Sequence, residues 1–385
     1  MQATGERWRL GHRPALDGLR GVAILLVLAS HARIPHLYGA GSAGVSVFFA
    51  LSGFLITTLL LEEHARTGRV DLRRFYGRRA RRLFPALAVS VAVTTVVGPL
   101  LGAGLFSWSA VAAVVLYVGN WVQAFGGYLG WFAGTWSLAV EEQFYLLWPL
   151  ALLLSVKRGP RAVLVVAGTG VVASLGVRVV LLGDSDLGRI YFGSDTSAAG
   201  LLVGCAVAAL MHMSRPGRPL PWLATTACVL AGALGLAQGN AVAWGLIPAV
   251  VPFLAVLAIW SVARGDEPAS WLSASWLVWV GRRSYGLYLW NCLVNVYLTF
   301  EQPHMAWPLH AAVLVGVSLP LTVLSWRYVE SPFLRRQRGT TLKRRMLSDP
   351  FGESVNMQPT PMRSGVPAHV HAVDHVSSDQ PPLVR

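Results

Sequence analysis

The chain has 385 residues, of which 54% are hydrophobic and only 13% charged, and its mean hydropathy is +0.52. A soluble domain carries a charged fraction nearer a quarter, so an ordinary soluble globule is excluded and an all-α polytopic membrane protein is expected. The net charge of +14 does not point to nucleic acid, because the arginines cluster between apolar runs, as the bias of basic residues toward cytoplasmic loops requires. Cys205, Cys228 and Cys292 fall inside apolar segments at unrelated spacings, which suggests neither a disulfide framework nor a thiolate site. No HExxH or acidic cluster appears either, so no metal is expected.

Residues 1–13 are basic, and the apolar run after them is too long for the core of a signal peptide and lacks a convincing cleavage site, so the segment is expected to be retained. The first run, 16–37, has membrane-spanning length but is interrupted by Asp17, Arg20, His31 and Arg33. Arg20 and His31 are eleven positions apart, which returns them to nearly one helical face about 16 Å apart along the axis. Such groups normally face a protein interior or a wet cavity. Arg20 could instead snorkel or pair with Asp17, and His31 could simply be satisfied by a backbone carbonyl.

The second run, 44–61, returns across the membrane, with Ser46, Ser52 and Gly53 small enough for close approach by a neighbouring helix. Residues 66–82 then hold eight arginines, of which Arg74, Arg78, Arg81 and Arg82 fall on one side of a helical reading. A cytoplasmic loop explains them through topology alone, whereas guanidinium forks in this number also suit a phosphate-rich ligand.

Eleven apolar candidates follow one another at 16–37, 44–61, 83–105, 107–124, 136–155, 162–182, 195–213, 221–238, 241–262, 276–299 and 309–328. If all eleven crossed, the basic groups at Lys157, Arg158 and Arg161, at Arg215 and Arg218, at Arg282 and Arg283, and in the tail would face outward together. One segment between 83 and 155 is therefore expected to re-enter or lie flat, the weakest being 107–124. About ten spans remain, in a multi-pass protein of the cell membrane with both termini cytoplasmic. No internal repeat is evident, which counts against an inverted-repeat transporter.

In 136–149, WSLAVEEQFYLLWP, two adjacent carboxylates open a long apolar run, and Glu141 lies one turn before Tyr145. Both glutamates could sit at the membrane interface with Trp136 and Trp148 as anchors; alternatively Glu141 could orient His31 or a bound hydroxyl. After 1–334, read as one membrane domain, residues 335–385 lose apolar periodicity and become rich in Arg, Pro, Ser and His. This is the composition of a disordered cytoplasmic tail, in which His369, His371 and His375 are scattered.

LDGLRG followed after ten residues by His31, then GVSVFFALSGFLIT and FYGRRARRLFPAL, closely resemble the acyltransferase 3 family of integral membrane O-acyltransferases. The resemblance continues more weakly to about Phe333, through WSLAVEEQFY, FGSDTSAAGLLVGC, GRRSYGLYLWNCL and WRYVESPF. It implies functional roles for Arg20, His31 and the arginine-rich loop, and an acyl-CoA, usually acetyl-CoA, as donor. On that reading His31 is the general base, Glu141 is the family's acidic residue, and Arg20, Arg78, Arg79 and Arg82 hold the CoA phosphates. Two departures stand out: Ser197 and Asn291 occupy positions where many members carry Arg and His. Asn cannot shuttle a proton, which puts a second proton-transfer role in doubt and hints at a distinct acceptor. Glu330 beside Arg327 reads as an interfacial ion pair.

The expected acceptor is a hydroxyl on a sugar or on a glycosylated natural product such as a macrolide, with a cell-envelope polysaccharide as the alternative. The absence of an appended hydrolase-like domain favours the small acceptor at this stage. A secondary transporter or flippase would also show ten helices with buried charge. The topology is testable directly: reporters fused after Arg161, Arg218 and Arg283 are each expected to read cytoplasmic, and an outward reading at any of them breaks the ten-span arrangement.

Overall fold

A computed structural model describes residues 8–334, apart from 102, 183–185, 215–220, 237–238, 240 and 265–269. The tail expected at 335–385, with its three histidines, and the Arg215 and Arg218 pair lie outside the described residues.

No strand occurs among the described residues, and ten helices have fourteen residues or more. These are α1 (Pro14–His31), α2 (Ala40–Thr67), α3 (Leu72–Leu101), α6 (Trp136–Val156), α7 (Pro160–Leu182), α9 (Ser194–Met213), α10 (Pro221–Leu234), α11 (Ile247–Arg264), α13 (Ser284–Glu301) and α14 (Trp307–Ser325). Eight stretches are long and apolar enough to cross a membrane. The two long helices outside that set are α10, which has only 14 residues, and α13, whose apolar character is diluted by Asn291, Asn295 and three tyrosines.

The segment 107–124 does not cross. It breaks into α4 (Trp108–Val115) and α5 (Gly119–Ala124) at Tyr117, whose φ is 54°. Eight residues of helix rise about 12 Å, far less than the roughly 30 Å of a hydrocarbon core. A 3-10 stretch over Gly130–Thr135 then leads directly into α6.

Three expectations change in detail. The first helix ends at His31 rather than at Leu37: Arg33 takes a φ of 55°, and Pro35 disfavours helix in the residue before it. His31 thus sits at the end of α1 and not two-thirds of the way along a longer one. Six of the eight arginines of 66–82 lie in the first three turns of α3, which begins at Leu72, while Arg66 is in the last turn of α2 and Arg69 lies between the two helices. The run 276–299 is split at Arg283 into α12 (Ser275–Arg282) and α13.

The centre of the bundle is α2, whose most apolar window is 83% buried, whereas that of α7 is only 22% buried and leaves Val172, Val179 and Val180 facing outward. An apolar side chain facing lipid loses nothing by exposure, so close packing here depends on small residues and shape. Gly18 of LDGLRG shows this: a Cβ there would lie 1.7 Å from the carbonyl oxygen of Leu272. Gly53 is equally tight, since its Cβ would lie 1.8 Å from the Leu201 oxygen on α9. The motif's glycine is therefore what allows α1 to seat, and Arg20 is carried on that seated helix.

Gly18→Ala is expected to lower the thermal midpoint of the purified protein, by a destabilisation of about 1–3 kcal/mol from overpacking. Gly168→Ala in α7, where nothing lies within 4 Å of the new Cβ, is the control and should leave the midpoint unchanged or raise it. Equal midpoints for both variants would refute the packing argument.

Candidate active site

Four of the expected site arginines meet in one place. Arg20 projects from α1, and Arg78, Arg79 and Arg82 project from the second and third turns of α3, into a cavity of about 920 Å³ that Glu141 of α6 also lines. That volume is at the upper end of the roughly 300–1,000 Å³ usual for ligand sites. Of the face read from sequence, Arg74 and Arg81 are exposed and line no part of the cavity, while Arg79 takes their place.

The arginines are held individually rather than neutralised. Arg20 donates to the hydroxyl of Ser284 at the start of α13, at 3.2 Å. Arg79 lies with its guanidinium carbon 3.2 Å from the centre of the Tyr145 ring, a stacked cation–π contact, and its Nε is buried without a hydrogen-bond partner. Arg78 faces Glu63 at 3.8 Å with its side chain 41% exposed, a geometry in which an ion pair contributes little. Arg82 makes neither an ion pair nor a hydrogen bond among the described residues. Arg282, the fifth arginine of the lining, is paired with Asp17 at 3.0 Å.

Four carboxylates oppose these five guanidinium groups, Asp17, Glu141 and Glu330 in the lining and Glu63 against Arg78. Glu141 accepts from the Ser52 hydroxyl of α2 at 2.8 Å. It makes no hydrogen bond to His31, contrary to the expectation that it could orient that histidine. Glu330 was missed: it is 5% exposed, accepts from Ser325 at 3.3 Å and faces the cavity, whereas Arg327 points away and lies against Tyr328. A π-helical stretch over Trp326–Glu330 sets that orientation, and the sequence motif WRYVESPF was its only signal.

His31 does not line the cavity. Its Nδ1 lies 2.5 Å from Oδ1 of Asn291 on α13, and its backbone carbonyl accepts from Nε2 of His310 on α14 at 3.1 Å. Arg20 with Ser284, and His31 with Asn291, show that α1 and α13 run side by side in the same direction. Tyr288 lies on α13 one turn before Asn291. Its hydroxyl bonds to Ser137 and donates to the carbonyl of Gly134, both at 2.7 Å. Tyr288 and Ser137 both line the cavity. Among the described residues no group of three or more metal-ligating side chains is found.

Residues 13–327 match a protein family described as "Acyltransferase domain". The chain is 32% identical over 360 residues to the peptidoglycan O-acetyltransferase OatA of Listeria monocytogenes, an alignment covering 85% of this chain and 56% of that protein. It is 31% identical over 351 residues to the O-acetyltransferase OatA of Staphylococcus aureus strain NCTC 8325, covering 84% of this chain and 57% of the relative. A putative O-acetyltransferase of S. aureus strain MSSA476 is 29% identical over 351 residues, with 84% and 58% covered. The chain thus spans a little over half the length of the curated relatives it matches. No solved structure shows significant similarity to it.

Proposed function

Because the chain belongs to this acyltransferase family, we propose that it is a membrane O-acyltransferase that takes an acyl group, acetyl or short branched, from acyl-CoA and delivers it to a hydroxyl of a sugar-type acceptor. The observation that carries the donor half is the surplus of guanidinium groups in a roomy cavity, above all Arg82, which makes no contact ion pair or hydrogen bond among the described residues, and Arg79 with an unpartnered Nε. Guanidinium groups gathered this closely repel one another, even with Arg82 exposed. The phosphates of CoA would offset that, and guanidinium forks contact phosphate oxygens in pairs.

In this reading the nucleotide end rests among Arg20, Arg78, Arg79 and Arg82, and the pantetheine arm runs past Tyr288 toward His31. A thioester is already activated, so little machinery is required. The acceptor hydroxyl attacks the thioester carbonyl and gives its proton to His31. The C–S bond breaks, and the thiolate of CoA leaves and takes up a proton. General-base assistance of this kind is typically worth about 10²–10⁴-fold.

For the acceptor, the names of the relatives favour an envelope glycan, while a macrolide-type glycoside is the second reading, with Asn291 in place of the family's His as the hint of a distinct acceptor. Orientation with both termini cytoplasmic would place the arginine end of the cavity on the side where acyl-CoA is made.

The test is transfer of label from acetyl-CoA by the purified protein, with peptidoglycan fragments and macrolide glycosides offered in parallel. Wild type is expected to label one class, and movement of solute without consumption of acyl-CoA would instead support a transporter. His31→Ala should bind acyl-CoA yet transfer almost nothing; activity within about tenfold of wild type would remove the general-base role.

Arg78→Lys combined with Arg82→Lys separates the ligand from the topological explanation of the arginines. Lys satisfies the positive-inside bias equally well but lacks the planar fork. The double variant should keep its topology and raise the KM for acyl-CoA, with much less effect on the acceptor KM. An unchanged acyl-CoA KM would mean that these arginines are a topology signal only.

A further inference from the structure

The structure assigns to Asn291 the task of holding His31 in the one tautomer that can act as a base on the substrate, an inference that rests on the acyltransfer reading above. Asn291 is fully buried in α13, and its side-chain oxygen lies 2.5 Å from Nδ1 of His31. A carbonyl oxygen only accepts, so Nδ1 must carry the proton and Nε2 is left as the free lone pair. His310 cannot substitute for this contact, because its Nε2 donates to the backbone carbonyl of His31 and not to the ring.

A purely structural role does not account for the placement. An amide buried to tie helices together normally has its NH2 group satisfied, yet Nδ2 of Asn291 is buried without a partner. The side chain thus spends its burial on a single bond, and that bond goes to His31. Asn also avoids a second titrating group at this position, which would compete with His31 for the proton. Ionisable groups near this pair include His310 on α14 and Arg33 just beyond α1.

Asn291 is thus a positioning residue, and its effect should be visible both with and without turnover. In the full chain labelled with ¹⁵N-histidine in lipid nanodiscs, the His31 signal is assigned by its loss in His31→Gln. Wild type and Asn291→Asp are expected to show Nδ1–H with a bare Nε2, and Asn291→Leu a mixture or the opposite tautomer. Nε2–H in the wild type would overturn the inference even if the enzyme transfers acyl groups, whereas the expected tautomer in a protein that consumes no acyl-CoA would sink only the functional reading.

In turnover, Asn291→Leu should lose kcat on the order of 10²-fold with an acyl-CoA KM within about threefold of wild type. Asn291→Asp should recover to within about tenfold and move the acidic limb of its pH profile upward, because a carboxylate favours the imidazolium that must deprotonate before it can act. Equal losses in both variants with an unmoved acidic limb would reduce Asn291 to a structural amide.

Discussion

Positive charge that must stay inside a membrane protein constrains most of this architecture. Arg20, Arg79 and Arg82 enter a common cavity with too few carboxylates to neutralise them, and the helices around them are arranged to keep each one individually satisfied or solvated. Ser284 takes a hydrogen bond from Arg20, the Tyr145 ring underlies Arg79, and Arg82 is left to the cavity itself. An interior of this kind requires a helix that can be approached on all sides, which is the part played by α2. It also requires α1 to pack without a gap, which Gly18 permits.

Much of this was legible in the residues because the physics behind it is local. Apolar length gave the crossings, the placement of basic groups required one segment between 83 and 155 not to cross, and a short apolar core ending at Gly119 marked 107–124 as the weakest. Arg20, Arg78, Arg79, Arg82 and Glu141 were named from motifs and meet around one cavity. The failures were of two kinds. Where an apolar run continued past the true helix end, as at His31, hydropathy outweighed the signal of Pro35. Where orientation depended on a tertiary contact, as for Glu330 on its π-helical turn, sequence neighbours such as Arg327 were the wrong guide.

Asn291 illustrates a subtler limit. From sequence it read as the loss of a proton-transfer group, because Asn cannot titrate near neutral pH. The fold turns the same residue into the partner of His31, since α13 runs beside α1 in one direction and brings positions 284 and 291 to Arg20 and His31. The identity of a residue constrained what it could not do, and only the neighbouring helix disclosed what it touches.

The hydrogen-bonded junction of Tyr288, Ser137 and Gly134 has a mechanical consequence. One phenol hydroxyl on α13 is bonded both to a side chain in the first turn of α6 and to the backbone of the 3-10 stretch that leads into it. A Cβ at Gly134 would lie 2.5 Å from Sγ of Cys292, so that stretch is pressed against α13. α13 therefore cannot slide along α6 without breaking two hydrogen bonds, and the register that sets Ser284 beside Arg20 and Asn291 beside His31 is pinned at this point.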